Sequence, residues 1–136
     1  MANLEITAND TSSIVMENAL YEDGLLTLAG KTTTGTIVLA NTVLARDSGT
    51  KKFVLYVQAG NTTGNGIAKG ILLYPVTGTV SGGDVQVRVL ISGTVRASKI
   101  VFNDTTKSLN TLDRDSLRGV GIIPQDVNEL GKADNS

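Results

Sequence analysis

Short apolar runs separated by glycine-rich and polar turns make up most of the sequence after about residue 25. In the segment 84–91 every second position is apolar, which predicts a β-strand with one buried face. These apolar positions are Val85, Val87, Val89 and Ile91. Gln86 and Arg88 lie on the opposite, polar face. Leu90 interrupts that face, and this indicates that a helix or a neighbouring subunit partly covers it too.

Further β-rich runs recur at similar spacing. They are 25–30, 34–40, 41–47, 52–58 and 67–76. Residues that favour tight turns stand between them, and they predict corners at 47–49, 60–65, Thr77-Gly78, 81–83 and Gly93. Many short strands at regular intervals are typical of a small β-barrel or sandwich. The predicted fold class is therefore mainly β with a short helix, an α+β domain.

The short helix is predicted after Phe102, where the apolar spacing changes. Asp104 is a candidate N-cap, and Arg118 followed by Gly119 suits a helix end. The apolar positions Leu109, Leu112 and Leu117 fit a helical stripe only loosely.

Two carboxylates in this helix raise the question of an acid–base pair or a metal site. Asp113 and Asp115 are two residues apart and point in different directions on a helix, so they do not converge. Asp115 is better placed for an i, i+3 ion pair with Arg118. The sequence therefore predicts a solvated helix face here.

Three regions are predicted along the chain. Residues 1–24 are rich in Asn, Asp, Thr and Ser and form a flexible N-terminal arm. Residues 25–124 form the β-rich domain, and residues 125–136 form a polar C-terminal tail.

Composition then limits the chemistry available. The chain contains no His and no Cys, which removes the commonest general base, the commonest metal ligands and all thiol chemistry. The glycine-rich stretch 60–70 lacks the Gly-Lys-Ser/Thr ending of a phosphate loop. We therefore expect no catalytic residue, no metal site and no cofactor.

Charge and hydropathy limit the classes of partner that the chain is expected to bind. Twelve basic and thirteen acidic residues are interspersed along the chain, which argues against nucleic acid as a partner. No apolar run approaches the ~20 residues of a membrane span, and the first residues lack a signal-peptide pattern, so we expect no membrane partner and synthesis in a cytoplasm. A carbohydrate-binding module is disfavoured, because Tyr21, Tyr56 and Tyr74 are few and far apart in sequence.

Four blocks of the sequence resemble the head decoration proteins of tailed bacteriophages, of the phage lambda type. The blocks occur in order and are "TGTIVLANTVLARDSGTKKFVLY" from Thr34, "AKGILLYPV" from Ala68, "GDVQVRVLISGTVRASKI" from Gly83 and "DSLRGVGIIP" from Asp115. Asn41 stands where the family usually has a glycine. The resemblance covers the β-rich domain and not the arm.

The resemblance implies a small barrel-like or sandwich-like "β-tulip" domain with an extended N-terminal arm. It implies a homotrimer on the exterior of the virion, at local three-fold positions of the expanded capsid, that cements neighbouring capsomers without catalysis. The implied partners are other copies of the chain and the major capsid protein. Other β-rich phage parts, such as tail-tube, tail-completion or fibre proteins, remain an alternative.

In this family the arm becomes ordered on the shell and can add a strand to the capsid protein. In the present chain Leu4 and Ile6 alternate as such a strand requires. The residues predicted to contact the capsid are Ala2, Asn3, Leu4, Glu5, Ile6, Thr7, Ala8, Ser13, Ile14 and Val15.

Overall fold

The computed structural model describes residues 14–28, 32–60, 63–81, 83–104 and 106–126, with the backbone alone for 32–37 and 77–81. The strands in these residues are β1 (Val15–Thr27), β2 (Thr32–Val38), β3 (Val43–Arg46), β4 (Phe53–Leu55), β5 (Ala68–Leu72), β6 (Val76–Ser81), β7 (Asp84–Arg96) and β8 (Ile122–Gln125). A 3-10 turn covers Ala97–Lys99, and the α-helix α1 covers Thr111–Arg118. The predicted class, mainly β with one short helix, is confirmed.

Five of the strands close into a small barrel. Their order is β1-β4-β3-β5-β7, and β7 pairs with β1 again, so the five strands form a ring. The β1–β7 pairing is antiparallel and runs nearly the whole length of both strands. β8 adds to the free part of β7 in parallel, and β2 pairs with β6 as a separate two-stranded sheet. The closure is narrow, because β1 and β4 meet at the single pair Leu26–Phe53, so among the described residues most of the second edge of β1 has no strand beside it.

The barrel encloses one apolar core, and each of its five strands contributes to it. The contributing side chains include Leu26, Phe53, Leu44, Leu72 and Val89. Each of these is at most 1% exposed. The period-two pattern of β7 is therefore confirmed, with Val87 and Val89 facing inward.

A second core lies on the outside of β3, β5 and β7, under α1 and β8. It contains the residues that alternate with the inner ones, including Val43, Ile71 and Leu90, together with Leu117 of α1 and Ile122 of β8. The two cores explain why consecutive apolar residues occur at 43–45 in β3, 71–72 in β5 and 89–90 in β7, since both faces of the sheet are buried there. They also confirm the prediction from Leu90 that the polar face of β7 is partly covered by the helix.

The helix ends where predicted but begins later. Gly119 is its C-cap, whereas Asn110, and not Asp104, is its N-cap. Asp104 instead accepts hydrogen bonds from the Thr106 amide at 3.0 Å and the Thr106 hydroxyl at 2.6 Å. Asp and Asn satisfy local backbone donors in turns as readily as at helix ends, so the residue type alone could not separate the two sites.

Two predicted turns lie inside strands. Thr77-Gly78 belongs to β6, where Gly78 faces Gly35 of β2. Gly93 belongs to β7 at a bulge, with a φ of +137° that a side chain would strain. A Cβ on Gly93 would lie 3.0 Å from the Cα of Ala19, so glycine allows the two strands to approach closely rather than to turn.

Leu117 anchors α1 on the barrel, and its loss should destabilise the fold. Leu117 is 0% exposed whereas Leu112, in the same helix, is 73% exposed. We expect Leu117→Ala to lower the free energy of unfolding by about 3 kcal/mol through lost burial and a residual cavity. Leu112→Ala should change it by less than about 0.5 kcal/mol. Urea denaturation of both variants measures the difference, and equal effects would contradict this assignment of the buried face.

Candidate functional site

The first and last described residues of the chain lie on opposite edges of β7, at its C-terminal end. The backbone N–H of Arg96 donates to the carbonyl of Ile14 at 2.8 Å, and Val15 pairs with Val95. On the other edge of β7, Gln125 pairs with Arg96. We call this region the exit end, defined by Ile14, Val15, Val95, Arg96 and Gln125. Segments on both sides of the described domain therefore start from one end of the barrel.

The exit end holds two residues that the sequence assigned to a capsid-binding arm. Ile14 is only 4% exposed and lies in the outer core, and Val15 packs against that core. The other predicted contact residues, Ala2–Ala8 and Ser13, lie outside the described residues. Their contact with a capsid stays a prediction.

Residues 15–24, also assigned to the arm from sequence, form most of β1. Their side chains are exposed or half-buried, so they lack the apolar alternation that would have revealed a strand. Backbone pairing with β7 holds them, and the pairing shifts register around Asn18, whose φ is +59°. A strand stabilised by backbone pairing and interrupted by bulges gives little signal in sequence.

The C-terminal side of the exit end is tied to α1. The Arg114 guanidinium lies 2.9 Å from the Asp126 carboxylate, the last residue described on this side. Asp126 is 78% exposed, so the pair contributes little to stability, but it orients the chain as it leaves β8.

A buried polar cluster fastens α1 to the segment after β4. Asp113 is 2% exposed and accepts hydrogen bonds from the Tyr56 hydroxyl and the Gln58 amide, each at 2.5 Å. The same carboxylate accepts the N–H of Asn110 at 3.1 Å, while Asn110 accepts the N–H of Asp113 at 2.8 Å, which completes a capping box. Burial, and then the hydrogen bond to Asp113, raise the pKa of Tyr56 well above its usual range.

The cluster corrects one prediction about the helix and supports another. Asp113 is not on a solvated face, because it is buried against Tyr56 and Gln58. The predicted ion pair between Asp115 and Arg118 is present at 3.7 Å. Sequence spacing predicted correctly that the two carboxylates diverge, but it could not show that one of them meets a tyrosine 57 residues away.

A cleft with a volume of about 400 Å³ lies beside the N-terminal end of β7, and sequence reasoning missed it. We call it the Tyr74 cleft; it is lined by Asp23, Tyr74, Pro75, Val76, Val85, Gln86, Val87 and Arg88. Arg88 donates from Nε to Asp23 at 2.9 Å, and its guanidinium carbon is 5.9 Å from the centre of the Tyr21 ring. The bond to Asp23 raises the pKa of Arg88.

Arg88, which lines the cleft, lies near two tyrosines that are far apart in sequence. Asp23 pairs directly with Arg88, and Tyr21 lies two positions earlier on the same face of β1. The N–H of Leu73 donates to the carbonyl of Arg88, which places Tyr74 beside the same arginine. The spacing of Tyr21 and Asp23, two residues apart, was the available signal in the sequence. It indicates a shared face only if these residues form a strand, and residues 15–24 were not predicted to form one.

The described residues lack the usual arrangements for phosphate or metal chemistry. The N-terminus of α1 is closed by its own capping box and does not follow the glycine-rich stretch, so that stretch does not aim helix amides at an anion. Among these residues no group of three or more acidic side chains converges as a metal site. Within the same part of the chain, no helix has the length and hydropathy needed to cross a membrane.

Comparison with known families gives one match, which covers most of the chain. Residues 10–122 match the family described as Bacteriophage lambda head decoration protein D. The match begins four residues before Ile14 and ends at Ile122, the first residue of β8. A comparison with curated individual proteins finds no matching relative.

Proposed function

Because the chain belongs to the bacteriophage lambda head decoration protein family, we propose that it assembles as a homotrimer and cements neighbouring capsomers on the expanded phage head. Membership makes it a structural protein of the phage head rather than of the tail or fibre. The proposal adds the trimeric state, the local three-fold position on the outer surface, and contact with the major capsid protein. The family match over residues 10–122 is the observation that carries it.

The exit end supports a capsid-binding arm that is shorter than the sequence alone indicates. Ile14 is buried and its carbonyl is bonded to Arg96, so we place the junction between arm and barrel at residue 14 rather than 24. Residues 2–13 then form a tethered polar segment in which Leu4 and Ile6 alternate. Such a segment can pair its backbone with an exposed sheet edge and insert alternate side chains into its surface.

A trimer would make weak arms effective. Once one arm is bound, the other two are held at high effective concentration near their own sites, so modest contacts combine into a lasting clamp. The single chain also exposes several large apolar side chains, which include Leu112, Leu20, Ile67, Leu39 and Val57. A subunit interface would remove part of this apolar surface from water.

Cosedimentation with empty capsids tests this proposal. We expect the purified protein to pellet with expanded shells and to remain in the supernatant with unexpanded precursors. Native mass measurement should report a species of three chains. A protein that stays monomeric at high concentration, or that fails to pellet with expanded shells, would contradict the proposal.

A further inference from the structure

We propose that the Tyr74 cleft is a binding site for a neutral saccharide, a function separate from attachment to the capsid. The site combines the exposed ring of Tyr74 with the polar groups of Arg88, Asp23 and Gln86, and the ring of Tyr21 lies beside it, near Arg88. It lies at the N-terminal end of β7, at the opposite end of this strand from the exit end.

The placement of the aromatic residues is the first argument. The whole chain contains five aromatic side chains and no Trp. Phe53, Phe102 and Tyr56 are buried. The two that are not, Tyr74 at 64% exposure and Tyr21 at 40%, both lie beside Arg88. A chain with so few aromatic residues therefore places one exposed ring, Tyr74, in the cleft and the other, Tyr21, next to the arginine that lines it, although burial would have gained more hydrophobic stabilisation.

The polar groups of the cleft give the chemical class of the ligand. Sugars present an apolar C–H face to aromatic rings and pairs of hydroxyls to planar amide, carboxylate and guanidinium groups. Arg88 and Asp23 are both about half exposed and are held together at 2.9 Å, so their positions are fixed relative to each other. Gln86 lies two residues from Arg88 on the same face of β7 and adds an amide.

The balance of charge in the cleft favours a neutral sugar over an anion as the ligand. The Arg88 charge is balanced by Asp23, and Arg88 is the one cation among the described residues that line the cleft. A phosphate or sulfate would have to compete with Asp23 for the guanidinium, whereas hydroxyl groups can donate to the carboxylate and accept from the guanidinium together. The volume of about 400 Å³ lies within the range of small-molecule sites.

Titration of the full-length protein with defined oligosaccharides tests the inference. The probes are four neutral tetrasaccharides, which are cellotetraose, maltotetraose, laminaritetraose and N-acetylated chitotetraose. Inorganic phosphate is the anionic comparison. We expect at least one tetrasaccharide to bind with a dissociation constant of about 1 mM or tighter. Amide NMR shifts should concentrate at residues 21–23, 73–76 and 86–88, and phosphate should produce none there.

Matched variants locate the binding in the cleft. Tyr74→Ala should weaken binding by about tenfold, whereas Tyr74→Phe, which keeps the ring, should bind within about threefold of the natural chain. Leu112→Ala removes another highly exposed apolar side chain outside the cleft and should leave binding unchanged. Since Tyr74 is 64% exposed, its variants should stay folded.

Several outcomes would overturn the inference. It fails if no tetrasaccharide shifts these residues, if phosphate binds there more tightly, or if Tyr74→Ala and Leu112→Ala weaken binding equally. A drop in native mass on Tyr74→Ala would show instead that the cleft is a contact between copies of the chain. Capsid binding is measured separately by cosedimentation, so failure of the saccharide site leaves the proposed decoration function unaffected.

Discussion

Deletion of residues 2–13 should leave the protein folded and self-associated but weaken its binding to expanded capsids by about 100-fold or more. The deletion stops before Ile14, whose side chain and carbonyl belong to the barrel. Every copy in the proposed trimer loses its arm. The gain in affinity that comes from binding through three linked arms is therefore lost completely, and not only the contribution of one arm. Sedimentation binding curves give the affinity, and native mass with a urea titration monitors assembly and folding.

Removal of residues 127–136 is the matched control for this deletion, because it shortens the chain at the same end of the barrel. That segment follows β8, which pairs with Arg96 on the other edge of β7, so it leaves the same end of the barrel. It is of similar length but lacks an alternating apolar pattern. We expect its deletion to change capsid affinity by less than about threefold, which would show that the arm's sequence matters and not its bulk.

Point variants test how the arm binds. Because alternate residues of a strand face opposite sides, Leu4→Asp with Ile6→Asp should lower affinity nearly as much as the deletion. Glu5→Gln with Thr7→Ser changes the intervening positions and should have little effect. Full binding by the deleted protein would refute the arm mechanism, and equal losses from the two double variants would refute the alternating contact.

The strands that the sequence predicted well are those in which side-chain burial and backbone pairing agree. β7 showed its inner face through Val87 and Val89, and Leu90 indicated the cover provided by α1. β1 is the opposite case, since long-range pairing with β7 holds residues whose own side chains are mostly outside the core. A sequence pattern reports burial directly and pairing only indirectly, so residues 15–24 were assigned to an arm although they form a strand.

Polar side chains were harder to predict, because their roles depend on residues distant in sequence. Asp113 has the spacing of a solvated helix residue, and only Tyr56 and Gln58 make it a buried acceptor. Tyr21 and Tyr74 were too separated in sequence to suggest a joint site, yet both lie beside Arg88 once the barrel closes. The capsid-binding residues before Ile14 depend on a partner and therefore stay a prediction.

The Asp113 cluster matters for function because it holds α1 against the barrel, and α1 leads directly to β8 at the exit end. Asp113 joins the helix start to Tyr56 and Gln58, and Leu117 then packs the helix end into the outer core. Ile14 belongs to that same outer core. Loosening the helix should therefore disturb the exit end, from which the proposed arm leaves.

Replacement of Asp113 by Ala should lower the free energy of unfolding by about 4 kcal/mol. The change leaves the Tyr56 hydroxyl and the Gln58 amide without their carboxylate acceptor and removes half of the capping box at Asn110. Asp113→Asn keeps one carbonyl acceptor but turns an amide donor toward other donors, so we expect an intermediate loss of about 2 kcal/mol. Urea denaturation followed by circular dichroism measures both values.

Asp115→Ala provides the matched control, because it removes a carboxylate two residues further along the same helix. Asp115 is 63% exposed and its pair with Arg118 spans 3.7 Å, so its loss should change stability by less than about 0.5 kcal/mol. The ordering Asp113→Ala, Asp113→Asn, Asp115→Ala follows from the number of buried donors left without an acceptor. If Asp113→Ala and Asp115→Ala were equally mild, the buried cluster would not be what fastens α1 to the barrel, and the packing of Leu117 alone would have to hold the helix in place.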